Sequence, residues 1–316
     1  MLKHLFRRTC IAIPTLLIVL TIVFFLMRMI PGSPAEVILG SGDDVTKEDI
    51  EALEDALGLN DPLPEQYIRF IGQIATGNWG DSYIHGKPVF ERMMARWEPA
   101  IFMAIMATAI TVVIAFPVGI LSATHRNSIG DYITTTSAIA MQSIPTICWS
   151  LLLIYFFTYK IPIFRSGYVY IADRGFFKAM ISMTLPALSL GLHHVAGQVR
   201  YVRTTMLDVM NQDYVRTAKS KGLPQYKVYY KHALKNTLNI TGTMVISSFV
   251  GMLGGTAVTE KAFSIYGLGT LAVEALSQRD YSQEQAIVIW SSTVSVLMGL
   301  FMDCFYYWLD PRIKYE

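Results

Sequence analysis

The side chains that could carry chemistry lie apart from one another. His193 and His194 are neighbours in a largely apolar stretch, Gln198 follows them, and Gln142 and Ser143 stand just before Pro145. Adjacent histidines could ligate a transported metal, but successive residues on a helix point about 100° apart and do not converge on one ion. The remaining histidines form no zincin-like pair, and no nucleophile stands in a recognisable pattern with a base. Cys10, Cys148 and Cys304 are far apart, each in or beside an apolar run, so small buried hydrophobes are expected rather than metal ligands. No Gly-x-x-x-x-Gly-Lys-Ser/Thr occurs, so the energy for any pumping must come from outside this chain. Polar residues inside apolar spans are functional candidates by default, which makes Gln142, Ser143, Pro145, His193 and His194 candidates for a translocation pathway. Gln198 is a further candidate at the cytoplasmic interface, and Asp303 is expected to partner a basic residue.

The elements that must position these residues are helices in a membrane. Of 316 residues, 53% are hydrophobic and only 16% charged, with a net charge of +2. Soluble domains carry about 25% charge, and so small a net charge gives no argument for nucleic acid. Apolar segments run from Ile11 to Met27 and over about 99–123, 133–159, 179–199, 238–259 and 285–309. Each is near the ~20 residues that cross a bilayer as helix. No stretch alternates with period two, so the expected fold class is an all-α integral membrane protein with six transmembrane helices. The first run is longer than a signal-peptide core and is followed by Pro-Gly-Ser-Pro, which reads as a retained span. The resulting frame is residues 1–30 as cytoplasmic terminus and first span, an insert over 31–98, a five-helix core over 99–309, and a tail over 310–316.

Charge placement sets the orientation. With an inside N-terminus, fourteen of the 26 Lys and Arg residues fall in about 64 cytoplasmic positions. Eleven fall in about 112 positions outside, four of them in 160–178. Both termini are therefore expected in the cytoplasm. The 31–98 insert, with thirteen acids, lies on the other face. It is expected to hold one or two short amphipathic helices, one near 46–57 capped by Thr46. Its Trp79 and Trp97 suggest a folded cap rather than a loose loop.

The most basic segment is Asp213 to Asn236, inside a loop over 204–237. It reads as two short helices meeting at a corner, with Asp213 at the start, Gly222 as left-handed terminator and Pro224 in the next first turn. Charge alone leaves contact with anionic lipid open. Yet Arg216, Lys219 and Lys221 alternate with Val215, Ala218 and Leu223, which suits a helix lying close against another protein.

This segment, Asp213-Tyr-Val-Arg-Thr-Ala-Lys-Ser-Lys-Gly-Leu and then His232-Ala-Leu-Lys-Asn, resembles the cytoplasmic signature loop of permease subunits of binding-protein-dependent ABC importers. The dipeptide, oligopeptide and nickel group is the most similar. The resemblance extends to Arg200-x-x-Arg203, Gly254-Gly255, Glu260-x-x-Phe-Ser-x-x-Gly-Leu-Gly and Arg279-Asp280-Tyr281. It also takes in Asp310-Pro-Arg-Ile, Pro31-Gly-Ser-Pro-Ala, Leu57-Gly-Leu-Asn and Gly77-Asn-Trp-Gly. The general family motif opens Glu-Ala-Ala; here Arg216-Thr217 stand in place of Glu-Ala, while Ala218-x-x-x-Gly222 is kept.

The resemblance implies a type I importer permease fold in the bacterial plasma membrane. It implies pairing with a second permease, two cytoplasmic ATPase subunits and an extracytoplasmic substrate-binding protein. The coupling residues would be Asp213, Tyr214, Arg216, Thr217, Ala218, Lys219, Lys221, Gly222 and Leu223, with Ala218 allowing close approach to the ATPase. The chain would bind no cofactor and catalyse no reaction, ATP and Mg2+ belonging to the partners. Gly251-x-x-x-Gly255, with Gly254, would pack one permease against the other. Peptides are the expected cargo, with nickel or a metal–metallophore complex as rival. An ion-coupled carrier would call for acids deep in the spans or an internal repeat.

Overall fold

The computed structural model describes residues 2–29, 32–40, 45–254 and 256–309. The calls on Pro31, Gly255 and the 310–316 tail lie outside the described residues, as do the side chains of Asp303 and Cys304. The helices in order are α1 (Leu2–Met29), α2 (Pro34–Leu39), α3 (Lys47–Leu57), α4 (Leu63–Ala75), α5 (Val89–Ala95) and α6 (Trp97–Thr124). Then come α7 (Ile129–Ser143), α8 (Thr146–Ile154), α9 (Ile171–Arg174), α10 (Phe176–Met210), α11 (Asp213–Ser220) and α12 (Gln225–Lys227). The chain ends with α13 (Leu234–Gly254), α14 (Ala257–Ala262), α15 (Leu268–Gln278) and α16 (Tyr281–Leu309). Wider π turns extend α8 over Tyr155–Lys160 and join α12 to α13 over Val228–Ala233. Among the described residues no strand forms, apart from a single bridge between Asp81 and Pro88.

Four of these helices are long and apolar enough to cross a membrane, and five if α7 with α8 counts as one span. That pair is bent by 93° where a straight span was expected. Pro145 explains the break: it has no N–H to give, and it forces Ile144 into extended backbone (φ −84°, ψ 121°). The sixth expected span, α13, forms as a 21-residue helix but is not among those apolar enough. Asn236, Thr237, Asn239, Thr241 and Thr243 crowd its first half.

The chain forms two compact units, Met1–Glu98 with Gly267–Leu300, and Pro99–Tyr266 with Phe301–Glu316. In the first, α1 packs on α4 through fully buried Phe24, whose ring meets Tyr67 and Phe70 at 5.2 and 5.4 Å. The insert contains α2 to α5, more helix than expected, because short amphipathic helices lack the length that makes a periodic pattern visible. Thr46 does cap α3: its hydroxyl accepts from the Asp49 N–H, and the Asp49 carboxylate accepts from the Thr46 N–H. Trp290 gathers Trp79, Phe90 and Trp97 around it.

In the second unit α10 is the central element. It packs on α7, α8, α13 and α14. Its close contact with α6 depends on Gly119, where a Cβ would lie 2.9 Å from the Val199 carbonyl oxygen. One core lies around Met103, Met183, Leu185 and Phe263, another around Ile120, Val202, Met206 and Ala233. The expectation of buried cysteines fails for Cys10 and Cys148, which are exposed. An apolar run in a membrane helix faces lipid as readily as core.

Candidate functional site

The corner at 213–223 is built from its backbone outward. Gln212 stands in extended conformation before α11, and Asp213 occupies the first turn, where the helix end favours a negative charge. At the other end Gly222 takes φ +74°. Nothing lies within 4 Å of where its Cβ would fall, so backbone conformation and not space demands glycine there. Pro224 precedes α12 as its cap residue, one place before the first turn. The second helix of the corner does not stop: α12, the π turn and α13 form one continuous helical run. Likewise only Asn211 and Gln212 separate α10 from α11. The corner therefore joins two long helices through two short turns, at 211–212 and 221–224.

Its inner face is apolar. Val215 (0% exposed) and Ala218 (6%) pack against Val228 (0%), flanked by Leu223 and Tyr229. Burying a valine side chain stabilises by ~1.5–3 kcal/mol, and an eight-residue helix would not persist without such packing. Asn236 donates to the Tyr214 hydroxyl at 2.7 Å, tying α11 to α13. Asp213, Arg216, Thr217, Lys219 and Lys221 are exposed. Arg216 and Asp213 pair at 3.6 Å with side chains 72% and 97% exposed, a contact of little stabilising value. In this chain the smallness of Ala218 serves the approach of α11 to its own following helix, not an outward surface.

A second cluster ties the foot of α10 to α6 and α7. Arg203 makes a bidentate pair with Asp131, Nε to Oδ1 at 2.6 Å and Nη2 to Oδ2 at 2.8 Å. Ser122 of α6 also donates to Asp131, and the Asn127 N–H donates at 2.9 Å from left-handed backbone (φ 64°). Asp131 is 3% exposed, so its lone pairs are filled by these donors rather than by water.

The expected pathway residues divide. Gln142, at the end of α7, accepts from Arg200 Nη2 of α10 at 2.5 Å, beside the Pro145 break. Ser143 turns back to the Ile139 carbonyl at 2.9 Å. His193 and His194 are half-buried with ring centroids 5.7 Å apart and nearly perpendicular, and His193 Nδ1 is buried without a partner. Gln198 is 2% exposed and donates to the Thr241 carbonyl of α13 at 3.4 Å, which makes it a tie between helices and not a lining residue. Gly251 leaves open space where a Cβ would fall; Gly254 and Gly255 add nothing described to that face. Among the described residues no group of three or more His, Cys, Asp or Glu is placed to hold a metal ion.

In the first unit Asp280 accepts from Ser82 and from the Tyr83 N–H at 3.1 Å, with Arg92 at 3.5 Å. Arg92 also donates to Ser82 and Gln283. Burial pushes the Arg92 guanidinium below its ordinary value, and Asp280 opposes that shift. Asp280 and Arg203 stand in motifs legible in the sequence, and Arg92 and Asp131 stand in none. The available signal was a lone acid in the first turn of a helix capped by Ser128, just ahead of the apolar run at 133–159.

The chain matches the model of the binding-protein-dependent transport system inner membrane component over residues 115–315, and that of its N-terminal part over 1–104. It is 36% identical to the oligopeptide transport system permease protein AppB of Bacillus subtilis, over 100% of both chains. It is 34% identical to the dipeptide transport system permease protein DppB of Alkalihalophilus pseudofirmus, again over 100% of both. The glutathione transport system permease protein GsiC of Escherichia coli K12 is 33% identical over 100% of both. A solved chain of the MetNI methionine ABC transporter, in an inward-facing conformation, shares the fold at a TM-score of 0.56. It is 16% identical, and the likeness covers 71% of this chain and 98% of that one.

Proposed function

The chain belongs to the family of inner membrane components of binding-protein-dependent transport systems, and from that premise we propose that it is the peptide permease of an ATP-driven importer. The family is one of transport permeases and not of enzymes, and the protein is a multi-pass component of the bacterial inner membrane. Permeases named for oligopeptides, dipeptides and glutathione match it end to end, which supports peptides as cargo.

The observation that carries the reading is the corner itself. A polar, cationic outer face is held by an apolar inner face directly between two long helices. A push on α11 is therefore delivered to α10 across two residues and to α13 across a hydrogen-bonded turn at 221–224. Two cytoplasmic ATPase subunits bind ATP with Mg2+ and, on closing, move this corner as a rigid body. Asp213, Arg216, Thr217, Lys219 and Lys221 face the ATPase, Tyr214 and Leu223 border it, and Ala218 and Gly222 hold the shape from within. A second permease completes the pathway, with Gly251 at the contact between the two, and an extracytoplasmic binding protein delivers cargo. Gln142, Ser143, Pro145, His193 and His194 border the route, and both termini lie in the cytoplasm.

The test is reconstitution with the partner subunits in proteoliposomes. Labelled di- to hexapeptides should accumulate only when ATP and loaded binding protein are both present. Accumulation of nickel and not of peptide would replace the cargo, and uptake driven by an ion gradient without ATP would replace the class.

A further inference from the structure

Two arginines one turn apart on α10 meet opposite fates. Arg203 has a carboxylate counter-ion, held at 2.6 and 2.8 Å. Arg200 has only the neutral amide of Gln142, its Nε is buried without an acceptor, and no ion pair to it forms among the described residues. Arg200 is half-buried at the cytoplasmic end of the apolar stretch of α10, and a guanidinium held at the mouth of a span without a counter-ion is a candidate for a transport route. Its neighbours point the same way. His193, Gly197 and Arg200 fall at i, i+4 and i+7, on one face of α10 over about 10 Å. His193 contributes a further buried, unpartnered nitrogen. At Gly197 the position of a Cβ would meet only Gln142 Nε2, at 3.7 Å, so the face is left open beside the amide.

We propose that Arg200, oriented by Gln142, is a carboxylate-binding site on the transport route that receives the C-terminal carboxylate of a peptide in transit. The proposal rests on the peptide-permease reading above. A planar guanidinium recognises a carboxylate through paired N–H donors, and the C-terminal carboxylate is the group that peptides share whatever their side chains. Gln142 is suited to its task because it is neutral. It fixes one Nη without neutralising the charge, so the cation stays free for a passing anion. An acid at this place would fill Arg200 as Asp131 fills Arg203.

That contrast supplies the experiment. Wild type, Gln142→Glu and Arg200→Gln are purified with the partner permease and ATPases and reconstituted, and uptake of a binding-protein-delivered peptide is measured. A C-terminally amidated analogue that the binding protein also binds is run in parallel. Gln142→Glu keeps the bond to Arg200 and strengthens it, yet it supplies an internal counter-ion. Both variants should therefore co-purify at wild-type yield and lose about tenfold or more of free-acid uptake. The amide should move poorly through wild type and no worse through Arg200→Gln. Wild-type uptake by Gln142→Glu would show that the bond is structural and overturn the proposal. Equal wild-type uptake of amide and acid would do the same. Failure of both variants to assemble would give Arg200 a structural counter-ion in the second permease and overturn the proposal as well. If wild type moves no peptide at all, the peptide reading itself falls, and this site with it.

Discussion

Asp131 and Arg203 show how single residues fix the arrangement of α6, α7 and α10. The Arg203 side chain is 22% exposed and that of Asp131 only 3%, so removing the arginine strands a buried carboxylate. Breaking such a pair costs ~3–5 kcal/mol, whereas removing both charges costs far less. Arg203→Gln should accordingly lower the melting temperature of the purified complex sharply, and Asp131→Asn with Arg203→Gln should recover most of the loss. A double variant as unstable as the sum of its parts would show that the pair acts as something other than a compensated charge. Gly222 is a second case. Its φ of +74° costs a residue with a side chain ~1–2 kcal/mol. Gly222→Ala should therefore loosen the corner, and Gly222→Asn should loosen it less, as read by proteolysis within 213–236.

Among the elements, the corner separates a packed apolar face from an exposed charged one. Ala218→Glu drives a charge into the Val215–Val228 contact and should expose the corner to protease while the spans still insert. Arg216→Glu with Lys219→Glu alters only the outer face. It should leave proteolysis unchanged and uncouple ATP hydrolysis from uptake, and normal uptake in that variant would remove α11 from the coupling role. The outline of this element was readable in Asp213, Gly222 and Pro224, each of which has a local backbone preference. The inward turn of Ala218 was not, because it depends on Val228, ten residues away and beyond the bend. The same limit hid the length of α10. His193, His194 and Gln198 weaken the segment over 179–199, and Arg200 and Arg203 close it there. Hydropathy counts charges without their partners, and here Arg203 has Asp131, Arg200 has Gln142 and Gln198 has the Thr241 carbonyl. Asp131 itself escaped notice because its counter-ion lies 72 residues away.

For the molecule as a whole, the number of membrane crossings turns on the bent α7–α8 pair and on α13. Its polar first half argues against a span only if those groups face lipid unsatisfied. Most do not: Thr237 donates to the Ala233 carbonyl at 3.1 Å, Thr241 to that of Thr237 at 2.8 Å and Thr243 to that of Ile240 at 2.5 Å, with Thr237 and Thr241 buried. Asn236 is engaged by Tyr214. Hydroxyls that return to their own helix backbone are not unmet polar groups in the bilayer, so the hydropathy of α13 understates its fitness to cross. Counting α13 and the bent α7–α8 pair as spans gives six, with the basic corner on one side and the acidic insert on the other, as the positive-inside rule prefers. Tags at residues 60, 170 and 270 should then be reached by an impermeant reagent from outside intact cells, and a tag at 220 only after permeabilisation. The tag at 170 tests the weakest part of the charge argument, since the 160–178 segment carries four basic residues. The tag at 270 tests α13 alone. Labelling of 270 from the same side as 220 would take α13 out of the membrane and carry every later residue to the opposite face.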